Sequence, residues 1–309
     1  MHRITVVLAL ALAWAVSPGL GHAAAPRYSA LYSFGDSLSD AGNVYAESGH
    51  AQPVSPPYSG GRFSNGQVWV QALAASLGLK PVAASQKGGT DFAYGGATTT
   101  GSNTAPGTVP VGLPGQIALF SASVGGRAPG TALYVISIGT NDVRNAARLS
   151  TDATFMTTQA QAAAANAAAS VRQLIQMGAR HILIAGATDL TKTPSGANYT
   201  PAQTFAVQTG IFVYNSSLQA QMAATSVPNG KVSVLNVAQL VDQLVAQGAA
   251  AGFSNVTDPC WSGDNTNPSS GTLCATTKTA QDQYLYWDAL HPTEHGHAAI
   301  AAQALLQLP

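Results

Sequence analysis

The sequence contains few charged residues and no excess of either sign. Of its 309 residues, 13 are lysine or arginine and 13 are aspartate or glutamate, so 8% are charged and the formal net charge is zero. A nucleic-acid-binding surface normally carries a patch or stripe of basic residues, and the sequence has none. We therefore expect no nucleic-acid partner. The low charge and the abundance of small residues are typical of bacterial proteins that act outside the cytoplasm.

Long hydrophobic runs are also scarce, and after residue 25 none is long enough to cross a bilayer. Residues 1–25 have the layout of a secretory signal peptide, with a short basic start, an apolar run that ends at Val16, and small residues after it. We place cleavage between Ala23 and Pro26, and an uncleaved anchor is the alternative. The mature chain is therefore predicted to be secreted, into the periplasm or the medium.

Cysteine is nearly absent, because the only two are Cys260 and Cys274. Two cysteines cannot build a disulfide-rich scaffold or the usual structural zinc site. In an exported chain the default expectation is one disulfide between them, with two free thiols as the alternative. Closing a loop of this size stabilises a fold by roughly 3 kcal/mol in the chain-entropy model.

What the sequence does contain is an alternation of β-type and helical patterns. The alternation predicts a parallel sheet with helices on both faces. Right-handed crossovers then bring the carboxyl ends of the strands to one edge, where ligands bind. Strands are expected at 29–34, 132–139, 181–187 and 231–237, and helices at 66–79, 153–178, 201–224, 238–248 and from Thr293 to the C-terminus.

Two segments interrupt the alternation. Residues 97–115 are rich in threonine, glycine and proline, and residues 252–280 contain both cysteines among many small polar residues. Both are interpreted as loops over the ligand-binding edge, and the disulfide would pin the second. Because there is no internal repeat and no linker, residues 26–309 are expected to form a single domain, and we expect a monomer.

Four short polar segments fall at this edge of the predicted sheet. Ser37 follows the first strand, and "YGGA" at 94–97 lies near the expected second strand. "IGTND" at 138–142 ends the next buried strand, and "WDALHPT" at 287–293 precedes the last helix. The fold is therefore expected to gather segments that are far apart in the sequence.

Together these segments supply the groups that acyl transfer needs. A serine hydroxyl becomes a good nucleophile only beside a base, and His291 can be that base for Ser37. Asp288 lies three residues before His291, so one short turn can hold both, with the carboxylate fixing the imidazole tautomer. The oxyanion needs preorganised donors, for which the backbone N–H groups of Ser37 and of a glycine and the side chain of Asn141 are candidates.

The same residues resemble the sequence blocks of the GDSL, or SGNH, hydrolases. "GDSL" at 35–38 matches the first block, "DFAYGGAT" at 91–98 the second, "GTND" at 139–142 the third and "DALHP" at 288–292 the last. The blocks occur in the order typical of the family, and the resemblance extends from residue 29 to about residue 307. It implies a three-layer α/β/α, flavodoxin-like fold with a parallel central sheet.

The resemblance also assigns roles to individual residues. It implies that Ser37 is the nucleophile, with Asp288 and His291 completing the triad. Gly96 would donate its backbone N–H to the oxyanion, with Gly95 as the alternative donor, and Asn141 would donate from its side chain. No cofactor and no metal are implied, although His295 and His297 lie close to His291 in the sequence.

One position departs from the family pattern, and one other motif is missing. The second block often begins with asparagine, whereas this chain has Asp91, which bears on how the Gly96 loop is braced. The chain has no Gly-x-Ser-x-Gly motif, so it does not resemble the α/β-hydrolases.

The resemblance leaves the substrate open. Tyr94, Trp261 and Trp287 are candidates to line an acyl pocket or to stack on a cationic alcohol such as choline, and ordinary packing is the alternative. The predicted function is a secreted carboxylic-ester hydrolase acting on small-molecule or lipid esters. An acyltransferase, a lysophospholipase or a choline-ester hydrolase would use the same residues, and an inactive binding protein on this scaffold is the alternative from another class.

Overall fold

A parallel four-stranded sheet forms the centre of the computed structural model, which describes residues 27–101 and 111–309. The predicted signal peptide and its cleavage site lie outside these residues. The sheet order is β1-β2-β3-β4, and the first residues of neighbouring strands pair with one another, so the carboxyl ends of the strands lie level at one edge. The strands are β1 (Leu31–Gly35), β2 (Leu133–Ser137), β3 (His181–Ala185) and β4 (Lys231–Leu235).

A single bridge extends the sheet beyond β1. The backbone N–H of Ser33 donates to Thr90 at 3.1 Å, and the N–H of Phe92 donates to Ser33 at 2.7 Å. The second strand expected near 94–97 is therefore reduced to a bridge at Asp91, a few residues earlier. Asp91 also forms a bridge to Ala84 on its other side.

The helices surround this sheet, and their ends follow recognisable signals. The side chain of Asp152 accepts from the N–H of Phe155 at 2.8 Å at one helix start, and Gly178, at φ 115°, ends the same helix as predicted. The helices are α1 (Asn43–Glu47), α2 (Trp69–Ser76), α3 (Leu113–Ser123), α4 (Thr140–Leu149), α5 (Ala153–Met177), α6 (Pro201–Ala223), α7 (Val237–Gln247), α8 (Lys278–Gln281) and α9 (Glu294–Leu306).

Alternate residues of the strands bury themselves in two separate cores. Tyr134 and Ile136 of β2 pack with side chains of α3, α4, α5 and α6 on one face. Leu133 and Val135 of the same strand pack with α2, α7 and α9 on the other face. Because both faces are covered, the strands read as continuous apolar runs. The predicted α/β fold, with helices on both sides of a parallel central sheet, is confirmed.

The two segments expected to be loops are partly regular. Residues 113–115 form the start of helix α3. Pro114 lies in its first turn, where proline is tolerated, although in the sequence a proline also suggests a turn. The segment 252–280 contains β5 (Asn255–Pro259), which pairs in parallel with β6 (Tyr284–Tyr286), and the first residues of α8.

A disulfide joins Cys260 to Cys274, as predicted, with a Cα–Cα distance of 4.6 Å. The backbone N–H of Cys260 donates to Tyr286 at 3.0 Å, and that of Trp261 donates to Trp287 at 2.6 Å. The crosslinked segment is therefore attached to the chain just before Asp288. In the ranges that the structure describes, no helix combines the length and apolar character needed to cross a membrane.

Candidate active site

Ser37 lies just beyond the carboxyl end of β1. The last residue of that strand, Gly35, has a backbone conformation that only glycine adopts readily. Gly35 has φ 138°, and a Cβ at this position would lie 2.0 Å from the carbonyl oxygen of Ser137. The side chain of Gln116 clamps the same residue, accepting from its N–H at 2.8 Å and donating to its carbonyl at 2.7 Å. The close approach of β1 and β2 thus sets where the chain turns towards Ser37.

Ser37, His291 and Asp288 form a continuous hydrogen-bonded chain. The Ser37 Oγ lies 2.8 Å from Nε2 of His291. The Nδ1 of His291 lies 2.7 Å from Oδ2 of Asp288 and 2.9 Å from its Oδ1. The ring of Phe63 lies against the imidazole at a centroid distance of 5.2 Å. The structure therefore brings together, over 254 positions of sequence, the three residues proposed as a triad.

Asp288 has further donors, one of which the sequence did not suggest. The buried hydroxyl of Tyr58 donates to Oδ2 of Asp288 at 2.7 Å, and the backbone N–H groups of Leu290 and His291 donate to its Oδ1 at 2.8 Å. Burial alone would raise the pKa of Asp288, but the charge of His291 and these hydrogen bonds bring it below its usual value. Asp288 is thus held as a carboxylate.

The sequence carries no signal for Tyr58. It is separated from Asp288 by 230 positions and stands in an irregular segment where tyrosine has no expected partner. Only the folded chain shows that this segment lies against Asp288.

Backbone donors lie beside Ser37, and their geometry separates the two glycines. The N–H of Gly95 donates to Oδ2 of Asp40 at 2.9 Å, so it is already used. Gly96, at φ 80°, lines the cavity next to Ser37. Within the described ranges, the N–H groups of Gly96 and Ser37 have no acceptor. This arrangement favours Gly96 over Gly95 as a donor to a bound oxyanion.

Asn141 lies in the first turn of α4, close to the Gly96 loop. Its Nδ2 donates to the carbonyl of Ala97 at 3.0 Å, which leaves the second proton of the amide for another acceptor. The neighbouring Asp142 accepts from both the N–H and the hydroxyl of Thr99, the latter at 2.6 Å. The start of α4 and the glycine loop are thereby fixed to one another.

Asp40 and Asp91 form a buried pair of carboxyl groups behind this loop. Asp40 accepts from backbone N–H groups of the turn that follows it and from Gly95. Asp91 accepts from the hydroxyl of Ser33 and the N–H of Ala41, both at 2.6 Å. Burial raises the pKa of Asp40 to about 6, and burial together with the charge of Asp40 raises that of Asp91 well above its usual value. Where the family often has asparagine, this chain therefore has a carboxyl group among the buried side chains that hold the Gly96 loop.

A cavity of about 470 Å³ opens beside Ser37, within the size range of small-molecule sites. Polar groups in its wall include Thr140, Arg144 and Thr188. Most of its wall is apolar and includes Phe63, Leu190, Val237, Val241, Leu285 and Ile300. The cavity runs from the hydroxyl of Ser37 towards the helices α7 and α9.

The three aromatic residues proposed as substrate contacts do not line this cavity. Tyr94 is buried next to Phe63, and its hydroxyl accepts from Nε2 of Gln86 at 2.8 Å. Trp261 and Trp287 pack with Tyr58 in a separate cluster. Their large apolar surfaces hold the loops together, so packing, the alternative interpretation, agrees with their positions.

The two additional histidines do not join the triad in a metal-binding cluster. The ring of His295 lies tilted against that of Phe253 at a centroid distance of 4.5 Å, and its Nδ1 lies 2.9 Å from the carbonyl oxygen of Asp282. His297 is fully buried on α9, and burial lowers its pKa to about 3. Across residues 27–101 and 111–309, no group of three or more histidine, cysteine or acidic side chains is arranged to hold a metal ion.

Comparison with known proteins gives evidence that is independent of this geometry. A family model described as "GDSL-like Lipase/Acylhydrolase" matches residues 31–304. An uncharacterised protein of the trpE-trpG intergenic region of Pseudomonas putida is 32% identical over 93% of this chain, and the chain spans only 50% of that protein's length. A GDSL esterase/lipase of Arabidopsis thaliana is 26% identical, over 90% of this chain and 88% of its own length.

Two further matches complete the comparison. A phosphatidylcholine-sterol acyltransferase of Aeromonas hydrophila is 23% identical, over 90% of both chains. Among solved structures, an extracellular lipase of Streptomyces rimosus matches 90% of this chain and 98% of its own, at 15% identity and a TM-score of 0.45.

Proposed function

The chain belongs to the GDSL-like lipase/acylhydrolase family, and we propose that it is a secreted carboxylic-ester hydrolase with Ser37 as its nucleophile. The observation that carries this proposal is the hydrogen-bonded chain of Ser37, His291 and Asp288, with distances of 2.8 and 2.7 Å. A serine hydroxyl at hydrogen-bond distance from an imidazole, which is itself held by a buried carboxylate, is the arrangement that activates serine for attack.

In the acylation step, the Oγ of Ser37 forms a bond to the ester carbonyl carbon while Nε2 of His291 accepts the hydroxyl proton. The carbonyl oxygen becomes an oxyanion, and Asp288 stabilises the imidazolium that results. The tetrahedral intermediate then breaks its bond to the alcohol oxygen, which takes the proton from Nε2 as it leaves. Ser37 is left as an acyl ester.

The oxyanion would be held by three donors: the N–H groups of Ser37 and Gly96 and the amide of Asn141. The first two have no acceptor in the described part of the chain, and Asn141 has one amide proton beyond its bond to Ala97. Such fixed donors stabilise the transition state because they need not reorganise as the charge develops.

Deacylation repeats the sequence with water. His291 accepts a proton from water, the hydroxide attacks the acyl carbon, and Ser37 leaves with that proton restored. Every proton in this cycle moves through Nε2 of His291, so the residues of the chain account for each step without a cofactor. An apolar acyl group suits the cavity, because its wall is largely aliphatic.

Secretion and domain organisation belong to the same proposal. We treat residues 1–25 as a cleaved signal and residues 26–309 as one hydrolase domain that acts as a monomer. The Cys260–Cys274 disulfide supports secretion, because such bonds persist in oxidising compartments.

An acyltransferase is the second candidate, and the Aeromonas hydrophila relative is named as one. Here an alcohol would take the place of water in the second half of the cycle. Product analysis with a competing alcohol separates the two, since a transferase forms the new ester even when water is in large excess.

The test of the proposal is the hydrolysis of p-nitrophenyl esters from acetyl to palmitoyl by the wild type, by Ser37→Ala and by Ser76→Ala. Ser76 is an exposed serine on α2 and controls for the loss of a hydroxyl. We expect wild-type and Ser76→Ala activity to be equal and Ser37→Ala activity to be lost. Equal activity of Ser37→Ala would remove Ser37 as the nucleophile, and a folded wild type that cleaves no ester would overturn the proposed activity.

A further inference from the structure

A groove runs along the β4 edge of the sheet, behind helix α7. β4 is the last strand in the order of the four-stranded sheet, and Val234 and Leu235 at its end line two adjoining cavities of about 530 and 300 Å³. Helices α6 and α7 line the first cavity, and α7 and α9 line the second. Because both cavities also share Asn236 and Gln239, they form one groove. We call it the amide groove, and its wall includes Gln208, Phe212, Gln219, Gln239, Gln243 and Gln303.

The amide groove is separate from the cavity beside Ser37, although one helix contributes to both. Val237 and Val241 of α7 line the Ser37 cavity, whereas Gln239 of the same helix lines the groove. Within residues 27–101 and 111–309, the two share no lining residue. An α-helix with its side chains is about 10–12 Å in diameter, so a ligand in the groove would lie behind the wall of the Ser37 cavity and away from the ester.

The polar groups of the amide groove are mainly uncharged side-chain amides. Five of them have no hydrogen-bond partner in the part of the chain that the structure describes: Gln208, Gln219, Gln239, Gln243 and Gln303. An amide both donates and accepts hydrogen bonds, as a hydroxyl group does. Among the described residues, the only charged side chains in the wall are Asp189 and Asp242, and the second of these lies 3.9 Å from Nζ of Lys192. The wall therefore suits a neutral ligand rich in hydroxyl groups and does not suit an anion.

Phe212 adds an exposed aromatic ring to this row of amides. It lies on α6 and is 73% exposed. A single exposed phenylalanine is not unusual by itself, but this one lines the same cavity as Gln208, Gln219 and Gln239. A flat apolar ring can pack against the C–H face of a sugar ring while the amides beside it bond to the hydroxyl groups.

The groove is fixed by hydrogen bonds within the chain. The Oδ1 of Asn215 accepts from the N–H of Ala187 at 2.8 Å, and its Nδ2 donates to the carbonyl of Ala187 at 3.0 Å. At the start of α7, the Oδ1 of Asn236 accepts from the N–H of Gln239 at 3.0 Å. Because these positions are set before a ligand arrives, binding loses less conformational entropy.

A peptide is the other ligand that could use this edge of the sheet. A peptide added to β4 as a further strand would gain its specificity from pockets for alternate side chains. The part of the groove between α7 and α9 has a mostly polar wall, through residues such as Gln243 and Gln303. A carbohydrate chain needs no side-chain pockets, because it carries hydroxyl groups along its whole length. The wall therefore favours a carbohydrate.

We propose that the amide groove binds a neutral carbohydrate chain, with Phe212 stacked on one sugar ring and the glutamines of α6 and α7 bonded to its hydroxyl groups. No bond is made or broken there. The groove holds the protein at a carbohydrate surface while the Ser37 cavity stays accessible, since the two have separate walls. The binding does not depend on the reaction proposed for Ser37.

The test is titration calorimetry of the purified protein with three neutral hexasaccharides: maltohexaose, cellohexaose and N-acetylchitohexaose. We expect at least one to bind, with an affinity that stays the same from about 0.05 M to about 0.5 M salt, because no charge pair is involved. Phe212→Ala should weaken binding roughly 10-fold or more. Gln239→Ala and Gln243→Ala should each weaken it about 2- to 10-fold, as for the loss of one neutral hydrogen bond.

Two matched variants control for the loss of an exposed ring or amide. Phe205 is 60% exposed on the same helix, about two turns before Phe212, and Gln161 is an exposed glutamine on α5. Neither lines the groove. Phe205→Ala and Gln161→Ala should therefore bind the hexasaccharide as the wild type does, and circular dichroism checks that every variant is folded.

Several results would overturn the carbohydrate site. One is the absence of binding for all three hexasaccharides at millimolar concentration, and another is binding that Phe212→Ala and Gln239→Ala leave unchanged. A third is an uncharged hexapeptide of alternating threonine and valine that binds more tightly than every hexasaccharide, which would mean a peptide site. A fourth is binding to phosphatidylcholine vesicles, without hexasaccharide binding, that both Phe205→Ala and Phe212→Ala abolish, which would mean a lipid contact. All four leave the proposed hydrolase untouched, because each measures binding alone.

Discussion

Asp288 on one side, and the pair Asp40 and Asp91 on the other, are buried carboxyl groups at the same edge of the sheet. The pKa of Asp288 is lowered, whereas the pKa values of Asp40 and Asp91 are raised. Burial raises the pKa of Asp288. The charge of His291 and hydrogen bonds from Tyr58 and two backbone N–H groups lower it by more, so the net shift is downward. In Asp40 and Asp91 burial dominates, and the charge of one raises the pKa of the other. Burial alone therefore does not decide the charge of a carboxyl group here.

The difference teaches what each set does. Asp288 keeps its charge beside an imidazole that transfers protons in the proposed reaction. The other two acids accept hydrogen bonds from backbone groups of the Ser37 turn and the Gly95 turn, and so hold the loops in place. We therefore expect substitution of Asp288 to reduce catalysis, and substitution of Asp40 or Asp91 to change stability.

The largest expected effect is on the Asp288 side. Asp288→Asn keeps the size of the side chain but removes the charge and favours the wrong tautomer of His291. We expect kcat to fall by about 10⁴-fold with little change in folding. Steady-state kinetics and circular dichroism of the same preparation check this. A loss of only a few-fold would mean that Asp288 does not act through His291.

Asn141→Ala should come next, because it removes one of three proposed oxyanion donors. We expect kcat to fall by about 10²- to 10³-fold while KM changes little. Arg148→Ala, at an exposed position on the same helix, is the control and should keep the wild-type rate. A rate within a few-fold of the wild type for Asn141→Ala would remove the donor assignment.

Tyr58→Phe removes a single hydrogen bond from Asp288 and should have a smaller effect. A hydrogen bond to a charged group is worth about 1.5–3 kcal/mol, and only part of this loss should reach the transition state. We expect kcat to fall roughly 10-fold, and the acidic limb of the pH–rate profile to move to higher pH because Asp288 loses a donor. Tyr134→Phe, whose hydroxyl donates to Pro129, is the matched control. An unshifted acidic limb would contradict a positioning role for Tyr58.

Asp91→Asn should mainly change how stability depends on pH. Because burial raises the pKa of Asp91 and Asp40, the folded chain binds protons that the unfolded chain releases above about pH 4. Their stabilising contribution is therefore present at low pH and is lost as the pH rises through the folded values, about 6 for Asp40. Asp288, whose pKa is lowered, keeps its contribution throughout this range.

Urea unfolding at pH 5 and pH 8 tests this difference. We expect the wild type to lose stability between the two values, and Asp91→Asn to lose less by on the order of 1 kcal/mol. Asp258→Asn, at an exposed aspartate, should behave as the wild type. An identical loss in wild type and Asp91→Asn would show that Asp91 is charged in the folded protein, as Asp288 is.

The sequence predicted the sheet well because its signals are local. The apolar runs that become β2, β3 and β4 are each bounded by turn residues, and Gly178 marks a helix end that the structure shows. Helix α3 was not predicted, and its first residues were assigned to a loop because Pro114 is also a common turn residue. In place of the expected second strand, the structure has only isolated bridges at Asp91.

The candidate site could be assembled from the sequence only where a motif marks it. Ser37, Asn141 and the Asp288–His291 pair stand in recognisable blocks, and the structure places them together. Tyr58 belongs to no such block, because its contact with Asp288 forms only after folding. Nor did the sequence show that the prominent aromatic residues Trp261 and Trp287 would face away from the cavity.

The distance of 254 positions between Ser37 and His291 has a consequence for biosynthesis. A ribosome that adds about 5–20 residues per second completes the nucleophile roughly 10–50 seconds before it reaches the base. During that interval the nascent chain contains a serine without its imidazole and half of a cavity. A chain built in this order cannot assemble the proposed Ser37–His291 pair until residue 291 has been added.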